Sequence, residues 1–213
     1  MRSFLILCST ILLLLAACSE EKRVIKVACI GDSITEGCGI SYQSHNSYPA
    51  RLDSILGDGY QVMNLGRSST TLMQNGDFPY WSAKEFNNAL AYKADIQIIK
   101  LGTNDIKLYQ WNPVEYEKSY QALIDTLLSV NPTTKLYLCY PIPVRKTQWE
   151  ITDSLVTSGA MPIIDKIAQK NNLPIIDMYS LMKDKQELIF DNVHPDAKGT
   201  LIMAQYVAEC IRK

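Results

Sequence analysis

Five apolar runs of strand length divide this chain, at 24–30, 60–65, 95–101, 135–140 and 173–178. Their apolarity is continuous rather than alternating, which predicts strands covered on both faces. Between them the apolar positions recur every three or four residues, the spacing of a helix with one buried face. The clearest such segment opens at Asn112-Pro113, an N-cap followed by proline at the first helical position. It carries Tyr116, Tyr120, Leu123 and Leu127 along one face and stops at Asn131-Pro132. Further helices are expected at 48–56, 84–92, 151–171 and 195–211, the last with Ala197, Leu201, Ala204 and Ala208 on an inward stripe. Strands alternating with helices predict an α/β domain over residues 24–213: one five-stranded parallel sheet with helices on both faces.

The first residues break this pattern. Arg2 precedes an apolar stretch at 4–17 that ends on Ala16-Ala17, shorter than the roughly 20 residues needed to span a bilayer, so 1–17 is expected to be a signal peptide. Leu15-Ala16-Ala17-Cys18 is similar to the bacterial lipobox. That resemblance implies cleavage before Cys18, a lipid on its thiol, a short tether over 18–23 and an exported lipoprotein of the cell envelope, with the outer membrane as its expected site. A plain secreted protein with Cys18 as a free thiol is the alternative.

The 213 residues are 47% hydrophobic and 20% charged, enough for one full core, and 21 basic against 22 acidic residues leave a net charge of -1. No basic surface for a polyphosphate backbone follows, so nucleic acid is not an expected partner. Cys29 and Cys139 fall within predicted strands, Cys38 in a loop and Cys210 in the last helix, with no Cys-x-x-Cys or Cys/His ligand spacing. No metal or cofactor is expected, and disulfide pairing is left unassigned.

Four polar blocks follow the apolar runs or lie near the end of the chain: Gly31-Asp32-Ser33, Asn64-Leu65-Gly66-Arg67-Ser68, Gly102-Thr103-Asn104-Asp105 and Asp191-Asn192-Val193-His194. A serine hydroxyl is a poor nucleophile at neutral pH and needs a base in reach, normally a histidine held by a carboxylate. Of the two histidines, His45 lies in a polar loop, whereas His194 has Asp191 three residues before it. Pro195 is expected to open the last helix with His194 at its N-cap. Ser33, Asp191 and His194 are therefore the candidate catalytic set, with Asp32 as a rival base. Donors for an oxyanion are available from the Ser33 backbone, from Gly66, which has no Cβ to obstruct its N–H, and from the Asn104 side chain. Taken singly, each block also reads as an ordinary turn or helix cap.

Together the four blocks resemble those of the GDSL esterases of the SGNH hydrolase superfamily, across nearly the whole chain after the leader. The resemblance implies a flavodoxin-like three-layer α/β/α sandwich, Ser33 as nucleophile, Gly66 and Asn104 completing the oxyanion hole, and Asp191 and His194 completing the triad. The Gly-x-Ser-x-Gly elbow of the α/β-hydrolases is absent. Loops at 37–47, 68–82 and 141–150 follow strand ends, where open α/β sheets place their ligands. They and their neighbours hold Tyr42, Tyr80, Trp81, Tyr109 and Trp111 as possible sugar-stacking faces and Gln74, Asn75, Asp77 and Arg145 as polar companions. Tyr80, Trp81, Trp111 and Arg145 are the expected substrate contacts. Similarity to bacterial lipoproteins of the superfamily that are sialate and xylan O-acetylesterases implies a small-molecule or glycan ester as substrate. A lysophospholipase or acyl-thioesterase on the same triad, and a non-catalytic glycan-binding lipoprotein, are the competing readings.

Overall fold

The computed structural model describes residues 23–212. The expected signal peptide and Cys18 lie outside the described residues. The elements run β1 (Ile25–Gly31), α1 (Ser33–Glu36), α2 (Gln43–Asn46), α3 (Tyr48–Leu56), β2 (Tyr60–Gly66), α4 (Lys84–Tyr92), β3 (Ile96–Lys100), α5 (Pro113–Val130), β4 (Lys135–Cys139), α6 (Asp153–Leu155), α7 (Met161–Asn171), β5 (Ile175–Ile176), α8 (Met178–Lys183) and α9 (Ala197–Ile211). The sheet is parallel throughout, in the order β2-β1-β3-β4-β5. This is the expected three-layer sandwich.

Each strand feeds two cores because successive side chains point to opposite faces. In β1, Ala28 and Ile30 join Ala89 of α4, Tyr116 and Tyr120 of α5 and Ile164 of α7 on one side. Val27 and Cys29 join Leu52 of α3, Met182 of α8 and Met203 and Val207 of α9 on the other. Burial pushes the Cys29 thiol up to about 12, so it behaves as a small apolar group. The strand order reverses between β1 and β3, since the chain goes from β1 to one neighbour and then returns to the other side of it. A crevice forms at such a reversal, beyond the carboxyl ends of the two strands. Ser33 follows β1 and Asn104 follows β3, so the topology carries both to that crevice.

Local chemistry explains where the elements differ from their sequence reading. The expected strand at 173–178 shrinks to Ile175–Ile176, because Pro174 has no N–H and Asp177 caps α8 by accepting from the Ser180 N–H at 2.8 Å. The expected helix at 151–171 is broken by a π-turn over Val156–Ala160 ahead of Pro162, which cannot donate backward into a regular turn. The last helix starts at Ala197, not Pro195, with Asp196 as its cap, accepting from the N–H groups of Lys198 and Gly199 at 2.9 and 2.8 Å. His194 is thus not at a helix N-cap. The short helices α1, α2 and α8 carry no long apolar stripe, and periodicity does not reveal them.

Candidate active site

Ser33 and His194 stand 161 residues apart in the chain, yet His194 Nε2 lies 2.8 Å from Ser33 Oγ. The ring's other nitrogen, Nδ1, lies 2.7 Å from Asp191 Oδ2. Partial burial pushes the Asp191 carboxyl up. The His194 N–H at 2.7 Å, the His194 ring and the Val193 N–H at 3.1 Å outweigh that and hold it below its ordinary value. An ionised carboxylate only accepts, so Nδ1 carries the proton and Nε2 keeps its lone pair for the serine hydroxyl. The turn that presents the ring is closed by Phe190 donating its N–H to the His194 carbonyl at 3.0 Å and by the bridge between Ile189 and Pro195. Arg145 braces it from outside, donating its N–H to the Asn192 carbonyl at 3.0 Å and Nε to Asn192 Oδ1 at 3.1 Å.

Beneath Ser33 lies a buried ion pair. Lys100 stands opposite Gly31 in the β1–β3 register, and its Nζ donates to both oxygens of Asp32 at 3.2 Å and to Thr103 Oγ1 at 2.8 Å. Burial lowers the Lys100 pKa against the pull of Asp32. Asp32 Oδ1 also accepts from the Ile34 N–H at 3.0 Å, so the carboxylate caps α1 and sets the backbone of Ser33. With its oxygens engaged below the serine, Asp32 holds a structural place rather than that of a base. Asp105 is likewise buried, accepting from the Leu72 and Met73 N–H groups at 2.9 and 2.7 Å. Burial outweighs those donors and pushes its carboxyl up to about 7.

Gly66 does not sit where an oxyanion donor is needed. Its N–H donates to Asn64 Oδ1 at 2.9 Å, and it is absent from the cavity wall. Its missing Cβ serves another purpose: a methyl there would collide with the backbone of Thr35 and Glu36, so glycine lets α1 lie against the end of β2. The cavity wall is reached two residues later, at Ser68 and Ser69. Glu36 accepts from the Ser68 N–H at 2.7 Å and from the Ser68 hydroxyl, which anchors this segment. Ser69 follows at φ 66°, lines the cavity, and its N–H finds no acceptor among the described residues. Asn104 also lines the cavity, with Nδ2 donating to the Thr70 carbonyl at 3.0 Å and its second amide hydrogen left over. Ser33, at the first helical position of α1, has no acceptor within the helix for its own N–H. The donor set the structure offers is therefore Ser33, Ser69 and Asn104.

The cavity holds about 370 Å³ and is walled by Cys38, Lys107, Trp149, Ile151 and Val193 besides the residues above. None of the four expected substrate contacts lies on this wall. Tyr80 is 1% exposed with its hydroxyl donating to the Leu65 carbonyl at 2.7 Å, so it is a core residue with no face for a ligand. Trp81 donates Nε1 to the Leu72 carbonyl at 2.8 Å and packs on Phe86, and Trp111 packs on Tyr116 with ring centroids 5.2 Å apart. Arg145 is exposed and bound to the His194 turn, not to the cavity. The aromatic side chain on the wall is Trp149, 52% exposed, its ring 5.7 Å from the His194 ring, with Phe190 at 6.2 Å on the imidazole as well. Trp149 and Glu150 form a two-residue hairpin tip at φ 49° and 61°, closed by Gln148 and Ile151 bonding each other at 2.8 and 3.2 Å. Left-handed backbone at a tryptophan is strained and needs support from its surroundings. The loop at 141–150 was readable as a ligand loop, but neither that conformation nor the neighbourhood of His194 has a local signature.

Comparison with known proteins agrees with this architecture. The GDSL-like Lipase/Acylhydrolase family profile matches residues 29–201. An acetylxylan esterase of Xylanibacter ruminicola is 39% identical over 91% of this chain and 44% of its own length, so the chain spans less than half of that relative. The aryl esterase of M. smegmatis superposes with a TM-score of 0.76 at 20% identity, covering 89% of this chain and 99% of that one. A carbohydrate acetylesterase family member from Sinorhizobium meliloti superposes at 0.71 with 22% identity, covering 89% and 98%. The matched segment contains Ser33, Ser69, Asn104, Asp191 and His194, and this chain belongs to the GDSL-like lipase/acylhydrolase family.

Proposed function

We propose that the chain is a serine esterase that removes acetyl groups from carbohydrates. The observation that carries the reading is the unbroken hydrogen-bonded line from Asp191 through His194 to Ser33 at the cavity wall. In the proposed reaction the Ser33 proton passes to His194 Nε2 as Oγ attacks the ester carbonyl, while Asp191 stabilises the imidazolium that forms. The tetrahedral oxyanion takes hydrogen bonds from the Ser33 and Ser69 N–H groups and the Asn104 amide, donors held in place before the charge develops. His194 then protonates the departing sugar hydroxyl. Water enters, gives its proton to His194, and releases acetate from Ser33 by the reverse sequence.

The names of the similar proteins support acetyl esters of sugars as the substrate class. Trp149 at the rim supplies a flat apolar face of the kind that packs on a pyranose ring. Ser33→Ala is expected to abolish acetate release from acetylated glycans, with circular dichroism unchanged. Undiminished turnover in that variant refutes the assignment, and a preference for acyl chains of eight or more carbons favours the lysophospholipase or thioesterase reading instead.

The same proposal includes export and anchoring through Cys18, supported by the lipobox-like Leu15-Ala16-Ala17-Cys18. Cys18→Ser should move the protein from the membrane fraction to the soluble one. Retention in the membrane defeats the anchor.

A further inference from the structure

A second groove, of about 560 Å³, opens beside the cavity and shares Ser68 and Ser69 with it. Two side chains on its wall are unaccounted for by the fold. Phe78 is 61% exposed, yet its backbone is fixed: its carbonyl accepts from the Thr71 N–H at 2.9 Å, and Tyr80 donates its N–H to the Thr71 carbonyl at 2.9 Å. Thr71 lies two residues beyond Ser69, so the ring is held in register with the proposed oxyanion donor. Arg67 donates its backbone N–H to the Gly31 carbonyl at 3.0 Å, but its guanidinium has no partner among the described residues. Neighbouring cations are committed. Lys107 pairs with Asp77 at 3.5 Å, a carboxylate that also accepts from Tyr109, and Arg145 is bound to Asn192.

We infer that this groove is a subsite for a neighbouring unit of the glycan chain, with a pyranose ring against Phe78 and the carboxylate of an acidic sugar on Arg67. This rests on the glycan-deacetylase reading and narrows its substrate class to polymers that carry uronate groups. A flat ring buries the C–H face of a sugar, and the planar guanidinium fork matches a carboxylate through two parallel N–H donations. Both groups stand on the segment that supplies Ser69, so binding in the groove orients the ester over Ser33.

The test is kcat/KM on acetylated xylo-oligosaccharides with a glucuronic acid branch, on their unbranched counterparts, and on 4-nitrophenyl acetate, which is too small to fill both cavities. The full-length protein should prefer the acidic oligosaccharide by about tenfold or more, the scale of one charge-assisted hydrogen-bonded contact. Arg67→Gln should erase that preference mainly through KM, and Arg67→Lys should restore part of it. Phe78→Ala should lower kcat/KM on both oligosaccharides by about tenfold relative to its own rate on 4-nitrophenyl acetate, a ratio that cancels any loss of folded enzyme. Equal use of branched and unbranched oligosaccharides, or ratios unmoved by the substitutions, overturns the subsite while leaving the glycan reading intact. Hydrolysis of 4-nitrophenyl acetate with no acetate released from either oligosaccharide removes both.

Discussion

Ser69 holds a left-handed backbone at φ 66°, a conformation that glycine adopts freely and serine does not. The sequence points to Gly66 as the donor, because a residue without Cβ is the natural place for an unobstructed N–H. The structure spends that glycine on the approach of α1 to β2, and the exposed N–H appears at a serine that Glu36 steadies through Ser68. Two substitutions separate donation from backbone strain. Ser69→Gly should raise stability by up to about 1 kcal/mol in denaturant unfolding, since glycine relieves the left-handed strain. Ser69→Val should depress kcat, because a β-branched residue is driven from that conformation and takes the N–H with it; full turnover in this variant removes Ser69 from the donor set. Asn104→Ala should lower kcat by about 10²–10³ with little change in KM, the signature of a group that acts on transition-state charge. A loss confined to KM would place Asn104 in ground-state binding instead.

At the level of elements, α1 is a single turn with no apolar stripe to hold it, and its position depends on what lies under its first residue. That is the pair of Lys100 on β3 and Asp32 before α1, 1% and 0% exposed at their side chains. Lys100→Met leaves a buried carboxylate without its cation and should cost about 3–5 kcal/mol of unfolding free energy. The double variant Lys100→Met with Asp32→Asn should cost clearly less than the sum of the two single changes, as residues in one network do. Additive costs would show that the two do not stabilise each other. Nothing in a lysine at the end of an apolar run announces such a partner 68 residues away. Helix α5, by contrast, was fully legible: its cap, its first-turn proline, its buried stripe and its stop are all local.

The stability of the whole chain should carry the titration of Asp105, which ties the segment at Leu72 and Met73 to the end of β3. Its carboxyl is raised from 3.8 to about 7 in the fold. Between those values the folded chain keeps a proton that the unfolded chain has lost. The stabilisation is full below the unfolded value and falls as pH rises through the window, by up to about 1.4 kcal/mol per pH unit. Asp105→Asn should flatten this decline between pH 4.5 and 7 in denaturant unfolding, whatever its overall cost, and an unaltered slope would show that Asp105 does not titrate there. The alternation of strand and helix, the parallel sheet and the Asp191-x-x-His194 turn follow from the chain's own periods and from spacings of a few residues, and those interactions are written in sequence. What placed Tyr80 in the core, Trp149 beside His194, Ser69 at the cavity and Lys100 under Ser33 was the packing of segments far apart in the chain. Such contacts are decided by which surfaces the folded sheet and its helices bring together, and no local pattern encodes them.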